Sequence, residues 1–337
     1  MAVLKADAYG LGAVRVAEAL VDAGAARFGV AELKEAVPLV KRFGLPVQIV
    51  GGLLPGEIPD CVRLGLVCPV PDKVTAVALS REALRRRKPA RVHIKVDTGM
   101  GRLGIPYFQA FQEILGILRL PGLICEGIYS HFANANNPKH SKSREQLGLF
   151  RNLLTALEAE SHTFPLVHMA NSDAINNIPG SYFNMVRTGI NLYGVFDFGG
   201  NQTYRLTPSL SLKTTLLAKR QLPAGFTIGY GCSHTLSQDT WVGTVPAGYA
   251  DGVPLAASNT GKLLIRGKAC PIIGKVSMDY VTLDLNGCPE ARVGDTVVLV
   301  GRSRSLETTI EDWARVKQTH PYDIICSLGN RVKRIYL

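Results

Sequence analysis

Over the first 195 residues, eight short runs rich in valine, isoleucine and leucine alternate with stretches of helical periodicity. The runs occupy 2–5, 27–31, 47–51, 67–70, 92–96, 123–131, 166–170 and 185–195, without strict alternation of apolar and polar residues. Strands of this texture are buried on both faces, the condition of a parallel sheet covered by helices. The segments at 12–23, 33–43, 73–87, 108–118 and 142–158 repeat apolar residues at helical spacing and supply the cover. Eight β/α units in series read most simply as a (β/α)8, TIM-like barrel. A doubly wound open sheet is the competitor, but no G-x-G-x-x-G turn follows the first strand.

Past about residue 205 the pattern changes. Strand-like stretches at 210–219, 240–246, 262–266, 271–276, 280–285, 295–300 and 324–328 are separated by turn signals such as Asn286-Gly287 and Val293-Gly294-Asp295. One helix stands out at 310–317, with Thr308 or Thr309 placed to cap it. The expected fold is therefore α/β: a barrel over 1–200, then a mostly-β C-terminal domain over 201–337, joined through 196–203.

The chain carries 38 Lys and Arg against 27 Asp and Glu, a formal charge of +11. Its densest basic run, Arg85-Arg86-Arg87-Lys88, closes a helical stretch before Pro89, where cations suit the helix dipole without any partner. Basic and aromatic residues do not interleave, so small anions such as phosphate or carboxylate are expected as partners, and nucleic acid is not. No apolar run reaches the roughly 18 residues needed to cross a bilayer, so no membrane contact is expected of this segment. The seven cysteines are odd in number, widely spaced and free of any C-x-x-C. That pattern argues against a disulfide framework or a metal site and suits a reducing, cytoplasmic compartment.

In a barrel, chemistry sits at the C-terminal ends of the strands and in the loops that follow. Those positions hold Lys5 and Tyr9, then Arg102, His131, His168 and Ser172, and finally Arg187, Gly189 and Ile190. One lysine at a strand end, several cations and a Ser/Gly pair able to hold a phosphate suit a phosphorylated carbonyl cofactor bound as a Schiff base. Pyridoxal 5'-phosphate (PLP) is such a cofactor.

The string Lys5-Ala6-Asp7-Ala8-Tyr9-Gly10-Leu11-Gly12 fits the pattern K-A-x-A-Y-G-x-G. In order behind it come K-V-D-T-G-M-G-R-L-G at 95–104, S-H-F-A at 130–133, H-M-A-N-S at 168–172 and V-R-T-G-I-N-L-Y-G at 186–194. The second half adds G-Y-G at 229–231, P-A-G-Y-A-D-G at 246–252 and G-K-V-S-M-D at 274–279. On these motifs the chain resembles the alanine racemases, PLP enzymes of fold type III, across essentially its whole length.

The resemblance implies a role for each position. Lys5 would carry PLP and act as one acid/base. Tyr9, Ser172 and the backbone N–H groups of Gly189 and Ile190 would bind the phosphate. Arg187 would face the pyridine nitrogen, with His168 behind it; a guanidinium keeps its proton, so that nitrogen would stay unprotonated and the ring would be a weaker electron sink. Racemisation needs bases on both faces of Cα. The second would be Tyr230, coupled to His131 and acting across the interface of a homodimer; a tyrosine titrates near ~10, so it needs positive charge nearby. Arg102 would contact the cofactor's phenolic oxygen or the substrate carboxylate, and Lys95 matches a position that is often carbamylated and positions that arginine. The backbone at Met278, beside Asp279, would bind the substrate carboxylate, and Tyr249 would line the access channel. The implied reaction interconverts L- and D-alanine and supplies D-alanine for peptidoglycan.

One position departs from the pattern. Where the family commonly reads Y-R-V-P-R, this chain reads Asn330-Arg331-Val332-Lys333-Arg334. An amide in place of the ring opens volume and adds a donor and an acceptor, which would suit a hydroxymethyl side chain, so a serine racemase is the alternative. A non-catalytic PLP-binding protein would resemble the barrel alone, without the Tyr230 domain. A fold-type-III decarboxylase would carry an acid in place of Arg187. The family also places a short strand and a helix ahead of the PLP lysine; with that lysine at residue 5, such a segment is expected to precede Met1.

Overall fold

The apolar runs pair in the order in which they occur. In the computed structural model, which describes residues 1–337, β1 (Ala2–Val3), β2 (Phe28–Val30) and β3 (Val47–Ile49) form one parallel sheet. β4 (Cys68–Val70), β5 (Ala90–Asp97), the short β6 (Ile105–Pro106), β7 (Leu123–Tyr129) and β8 (Leu166–His168) form a second, also parallel. Single bridges join these arcs into a ring: Gln48 to Val67, His168 to Met185, and Ala2 to Thr188. The eighth run forms no regular strand, yet its backbone is held on both sides. Arg187 N donates to Ala170 O at 2.9 Å, and Val3 N donates to Thr188 O at 2.8 Å. The TIM-like closure expected from the spacing is present.

The covering helices are Ala13–Asp22, Leu33–Arg42, Lys73–Arg86, Tyr107–Leu118 and Ser141–Ala159, each within two residues of its expected bounds. A further helix, Ile58–Leu64, carries Pro59 near its start and ends at Gly65 with φ 70°. It is too short to show a period in sequence.

The chain forms two compact units: Met1–Leu192 with Gly199–Arg205, and Tyr193–Phe198 with Leu206–Leu337. In the second, the stretch 210–219 divides into β9 (Leu212–Thr215) and β10 (Ala218–Leu222). The break lies where Leu216 N turns to Asp295 O and Leu217 N to Thr244 O, so the chain changes sheets between them. β11 (Thr227–Ile228) and β12 (His234–Thr235) make a small hairpin, and β10, β13 (Thr240–Val245) and β16 (Val281–Asp284) an antiparallel sheet. β14 (Lys262–Ile265), β15 (Lys268–Pro271), β17 (Thr296–Ser303) and β18 (Leu306–Thr308) complete the other sheet with β9. Ile228, Leu236, Val242 and Ile273 form a buried cluster in this unit.

Thr309 caps the helix Ile310–Lys317: its hydroxyl accepts from Asp312 N at 3.1 Å, and Asp312 Oδ2 accepts from Thr309 N at 2.9 Å. Two expectations are overturned. The strand read at 271–276 reaches no further than Pro271, the end of β15, and Gly274 at φ 77° turns the backbone out of the extended conformation. The strand read at 324–328 is the helix Pro321–Cys326, because Pro321 opens it and Asp323 lies in its first turn. No helix is long and apolar enough to cross a membrane.

Candidate active site

Lys5 lies two residues beyond the end of β1, and the chain behind it turns the wrong way. Ala6, Asp7, Ala8 and Tyr9 have φ of 53°, 53°, 53° and 60°, a turn of left-handed helix without a glycine. Each such residue costs about 1–2 kcal/mol, so the neighbourhood must hold it. Glu35, from the helix Leu33–Arg42, does so from below: Oε1 accepts from Ala6 N at 2.6 Å and Oε2 from Ala31 N at 2.7 Å. Asp7 Oδ1 accepts from Ala13 N at 2.7 Å and so anchors the far end of the turn to the next helix.

The turn delivers Tyr9 to the loops after β8. Tyr9 is buried, and a Cβ added to Gly189 would lie 2.2 Å from its hydroxyl. Ser172, at the start of the helix Ser172–Asn177, accepts from Gly189 N at 2.8 Å. Ile190 opens the next turn and is fully buried. Tyr9, Ser172, Gly189 and Ile190 are thus brought together, and the missing Cβ lets the Tyr9 hydroxyl close on the Gly189 backbone beside the Ser172 hydroxyl. That donor set suits a phosphate.

Arg187 is buried with no carboxylate against it. Nη1 donates to His168 Nδ1 at 2.8 Å; Nη2 reaches Ser130 O and Met169 O, each at 2.9 Å, and His131 Nδ1 at 3.1 Å. Burial lowers its guanidinium to about 10, still charged at neutral pH. Burial, followed by the charge of Arg187, drives His131 and His168 well below the ordinary imidazole value, so both are neutral acceptors. A buried cation satisfied only by neutral groups retains its full attraction for an electron-rich ligand atom.

Lys95 is buried, donates to Val50 O at 3.0 Å and lies 5.5 Å from the centre of the Tyr129 ring. Burial, then Arg102 and Arg187, bring its amine down to about 8, within reach of the neutral form. Arg102 is exposed on the loop after β5. Asp97 ties that loop down: Oδ1 accepts from Gly99 N and Met100 N, both at 2.8 Å, and Oδ2 from Gly101 N at 2.9 Å and Arg102 N at 3.2 Å. Fully buried Gln146 donates to His131 O at 3.1 Å and accepts from Ala133 N at 2.9 Å, fixing the loop that carries His131.

The remaining residues lie on the second unit. Tyr230 stands on a short turn between β11 and β12, flanked by Gly229 and Gly231, each at φ 71°, and is 74% exposed. Tyr249 and Met278 are about half exposed. Asp279 does not stand free: Oδ1 takes Arg331 Nη1 at 2.6 Å, while Arg331 Nε and Nη2 grip Asp251 at 2.7 and 2.9 Å. Arg331 Nη2 also reaches Met278 O at 3.2 Å, so this one guanidinium gathers the loops at 248–252 and 277–280, beside exposed Asn330. Sequence reasoning missed Glu35, Asp97, Gln146 and Arg331. Of these, only Asp97 had a readable signal, an acid followed by three glycines within seven residues.

Two family models match the chain: "Alanine racemase, N-terminal domain" over residues 1–197 and "Alanine racemase, C-terminal domain" over 209–336. Alanine racemase 1 of Caldanaerobacter subterraneus subsp. tengcongensis is 39% identical, with all of this chain and 87% of the relative aligned. A crystal structure of alanine racemase from D-cycloserine-producing Streptomyces lavendulae superposes at a TM-score of 0.93 with 34% identity, covering 100% of this chain and 90% of the other. The Bartonella henselae alanine racemase with covalently bound pyridoxal phosphate gives 0.90 and 31%, covering 100% and 92%.

Proposed function

The chain belongs to the alanine racemase family, and from that membership we propose how its own residues perform the family's reaction. It is a PLP-dependent isomerase that interconverts L- and D-alanine and so supplies D-alanine for peptidoglycan. When bound, PLP withdraws electrons from the substrate and makes the proton on Cα labile. Every other task falls to the protein.

Tyr9, Ser172 and the N–H groups of Gly189 and Ile190 bind the phosphate. Arg187 holds the pyridine nitrogen. Because a guanidinium does not surrender its proton, Arg187 would leave that nitrogen unprotonated and the ring a weaker electron sink, which would favour return of the proton to Cα. Lys5 Nζ anchors the cofactor and exchanges the proton on one face of Cα. On the opposite face the hydroxyl of Tyr230 of the partner subunit does the same, so the working species is a homodimer with composite sites. The exposure of Tyr230 in the single chain supports that reading. Arg102, set by Asp97 and a carbamylated Lys95, contacts the phenolic oxygen or the substrate carboxylate; the lowered pKa of Lys95 supports the modification, which needs a neutral amine. The backbone at Met278 completes the carboxylate site, Tyr249 lines the approach, and Asn330 borders the side-chain pocket. His131 supports Arg187 and, through the dimer, Tyr230. The scattered free cysteines support a cytoplasmic location.

The observation that carries the reading is buried Arg187, held by neutral acceptors alone, on the same loop as the Tyr9–Ser172–Gly189 cradle. The test is spectroscopic and polarimetric. The pure protein is expected to show the visible band of lysine-bound PLP and to racemise L-alanine, and Lys5→Ala to lose both. A protein that stays colourless with added PLP would sink the proposal.

A further inference from the structure

Behind Arg187, a line of hydrogen bonds runs through the barrel interior toward the N-terminal ends of the strands. Arg187 Nη1 meets His168 Nδ1 at 2.8 Å, His168 Nε2 meets His93 Nδ1 at 2.8 Å, and His93 Nε2 meets Glu126 Oε1 at 3.2 Å. Both histidines are fully buried. Burial depresses both imidazoles, so each is neutral and has one N–H and one bare nitrogen.

The ends of the line decide which nitrogen is bare. Arg187 only donates, so His168 Nδ1 is bare and its Nε2 carries the hydrogen. That N–H points at His93 Nδ1, which must then be bare, so His93 Nε2–H donates to a carboxylate that only accepts. Arg27 Nη1 also lies 3.5 Å from His93 Nε2. Were that nitrogen bare instead, the hydrogens would be passed along until His168 Nδ1–H opposed the guanidinium.

Two backbone devices build the line. β7 pairs Cys125 with Val92 and Gly127 with His93, which leaves Glu126 as an extra, bulged residue. Such a bulge re-aims its side chain. At Gly127 an added Cβ would lie 2.4 Å from His93 Cε1, so only glycine admits the ring. The carboxylate is then fixed by Arg27 Nη1 at 2.8 Å and Arg91 Nε at 2.7 Å. Burial would raise it, but hydrogen bonds from His93, Arg27 and Arg91 outweigh that and hold it at about 2.

We propose that Glu126, acting through His93 and His168, is a positioning residue for Arg187: it locks the two neutral tautomers that keep His168 Nδ1 a permanent acceptor for the guanidinium. The inference rests on the assignment of Arg187 to the cofactor's ring nitrogen. It gives a residue on the side of the barrel away from the cofactor pocket control over the group that sets the ring's electron demand.

The test uses the holoenzyme with its seven histidines labelled with 15N. The expected spectrum shows His93 and His168 as Nε2–H tautomers in the wild type and in Glu126→Gln, which keeps an acceptor oxygen. Glu126→Leu is expected to mix in Nδ1–H forms, shift the visible band and weaken PLP binding about tenfold, while Glu126→Gln stays within about twofold of wild type. An Nδ1–H on either histidine of the wild type overturns the proposal. So does a Glu126→Leu protein with unchanged tautomers and cofactor affinity, or a Glu126→Gln protein that loses PLP with its tautomers intact. If Glu126→Leu does not fold, the wild type and Glu126→Gln still decide. Failure of the underlying assignment looks different: Arg187→Gln would leave PLP affinity unchanged, whatever the tautomers.

Discussion

Tyr129 lies flat on His168, with ring centroids 4.8 Å apart and planes 4° from parallel. Its hydroxyl reaches Val50 O at 3.3 Å, and Arg187 sits 5.6 Å from the centre of the same ring. The phenol therefore seals one face of the imidazole from water while a cation holds its edge. Protonation of His168 would place a second positive charge beside the first, in a site without solvent.

Stability should follow. His93, His131 and His168 all have imidazoles depressed by burial, whereas in the unfolded chain each titrates near ~6.5. Below that value the unfolded state binds more protons than the folded one, so stability is full above about pH 7 and falls as pH drops through about 6.5. Glu126, held at about 2, adds a separate loss only below its unfolded value of about 4.5. Melting temperatures between about pH 8 and pH 5 check the sign. His168→Asn is expected to shrink the drop; an equally steep fall in that variant would count against the account.

The left-handed turn predicts a stabilising change. Glycine at position 6 keeps the Glu35 hydrogen bond to the backbone and removes the Cβ penalty at φ 53°. Ala6→Gly is expected to gain about 1 kcal/mol, or roughly 1–2 °C in Tm for a chain of this length. Ala6→Val, β-branched, is expected to lose more than that. Calorimetry on the three proteins settles the order.

Asp97 holds four consecutive N–H groups of the Arg102 loop. Asp97→Ala is expected to cut kcat/KM for alanine roughly tenfold to a hundredfold, mainly through KM, because Arg102 is no longer placed. Asp97→Asn, keeping one acceptor oxygen, recovers part. Steady-state kinetics with unchanged KM in Asp97→Ala would contradict the assigned role.

Asn330 stands beside the Arg331 clamp. Asn330→Tyr is expected to lower the ratio of serine to alanine turnover several-fold, since a ring removes both the space and the amide partner for a hydroxymethyl group. Polarimetry on the two amino acids side by side reads that ratio directly.

Much of this was legible in sequence, and the reasons differ by residue. The barrel was readable because doubly buried strands lose their alternation, and Tyr9, Ser172 and Arg187 because strand ends of a barrel point at one mouth. The turn at 6–9 was not, since Ala-Asp-Ala-Tyr contains no glycine to announce positive φ; its cause is Glu35, distant in sequence. Pro321–Cys326 was misread because Ile324-Ile325 suggests a strand while the start signal, Pro321, lies three residues earlier. Glu126 was invisible for a different reason: whether a strand residue points inward depends on a bulge that only its neighbour β5 defines.

The Asp97 loop has one more consequence. An ionised carboxylate offers about four lone pairs, and here four backbone hydrogens occupy them. The acid closest in sequence to Arg102 therefore has no lone pair left to accept from the guanidinium, although its charge still acts through space. The guanidinium of Arg102, exposed on that loop, keeps its donors for an anion that arrives from outside the fold.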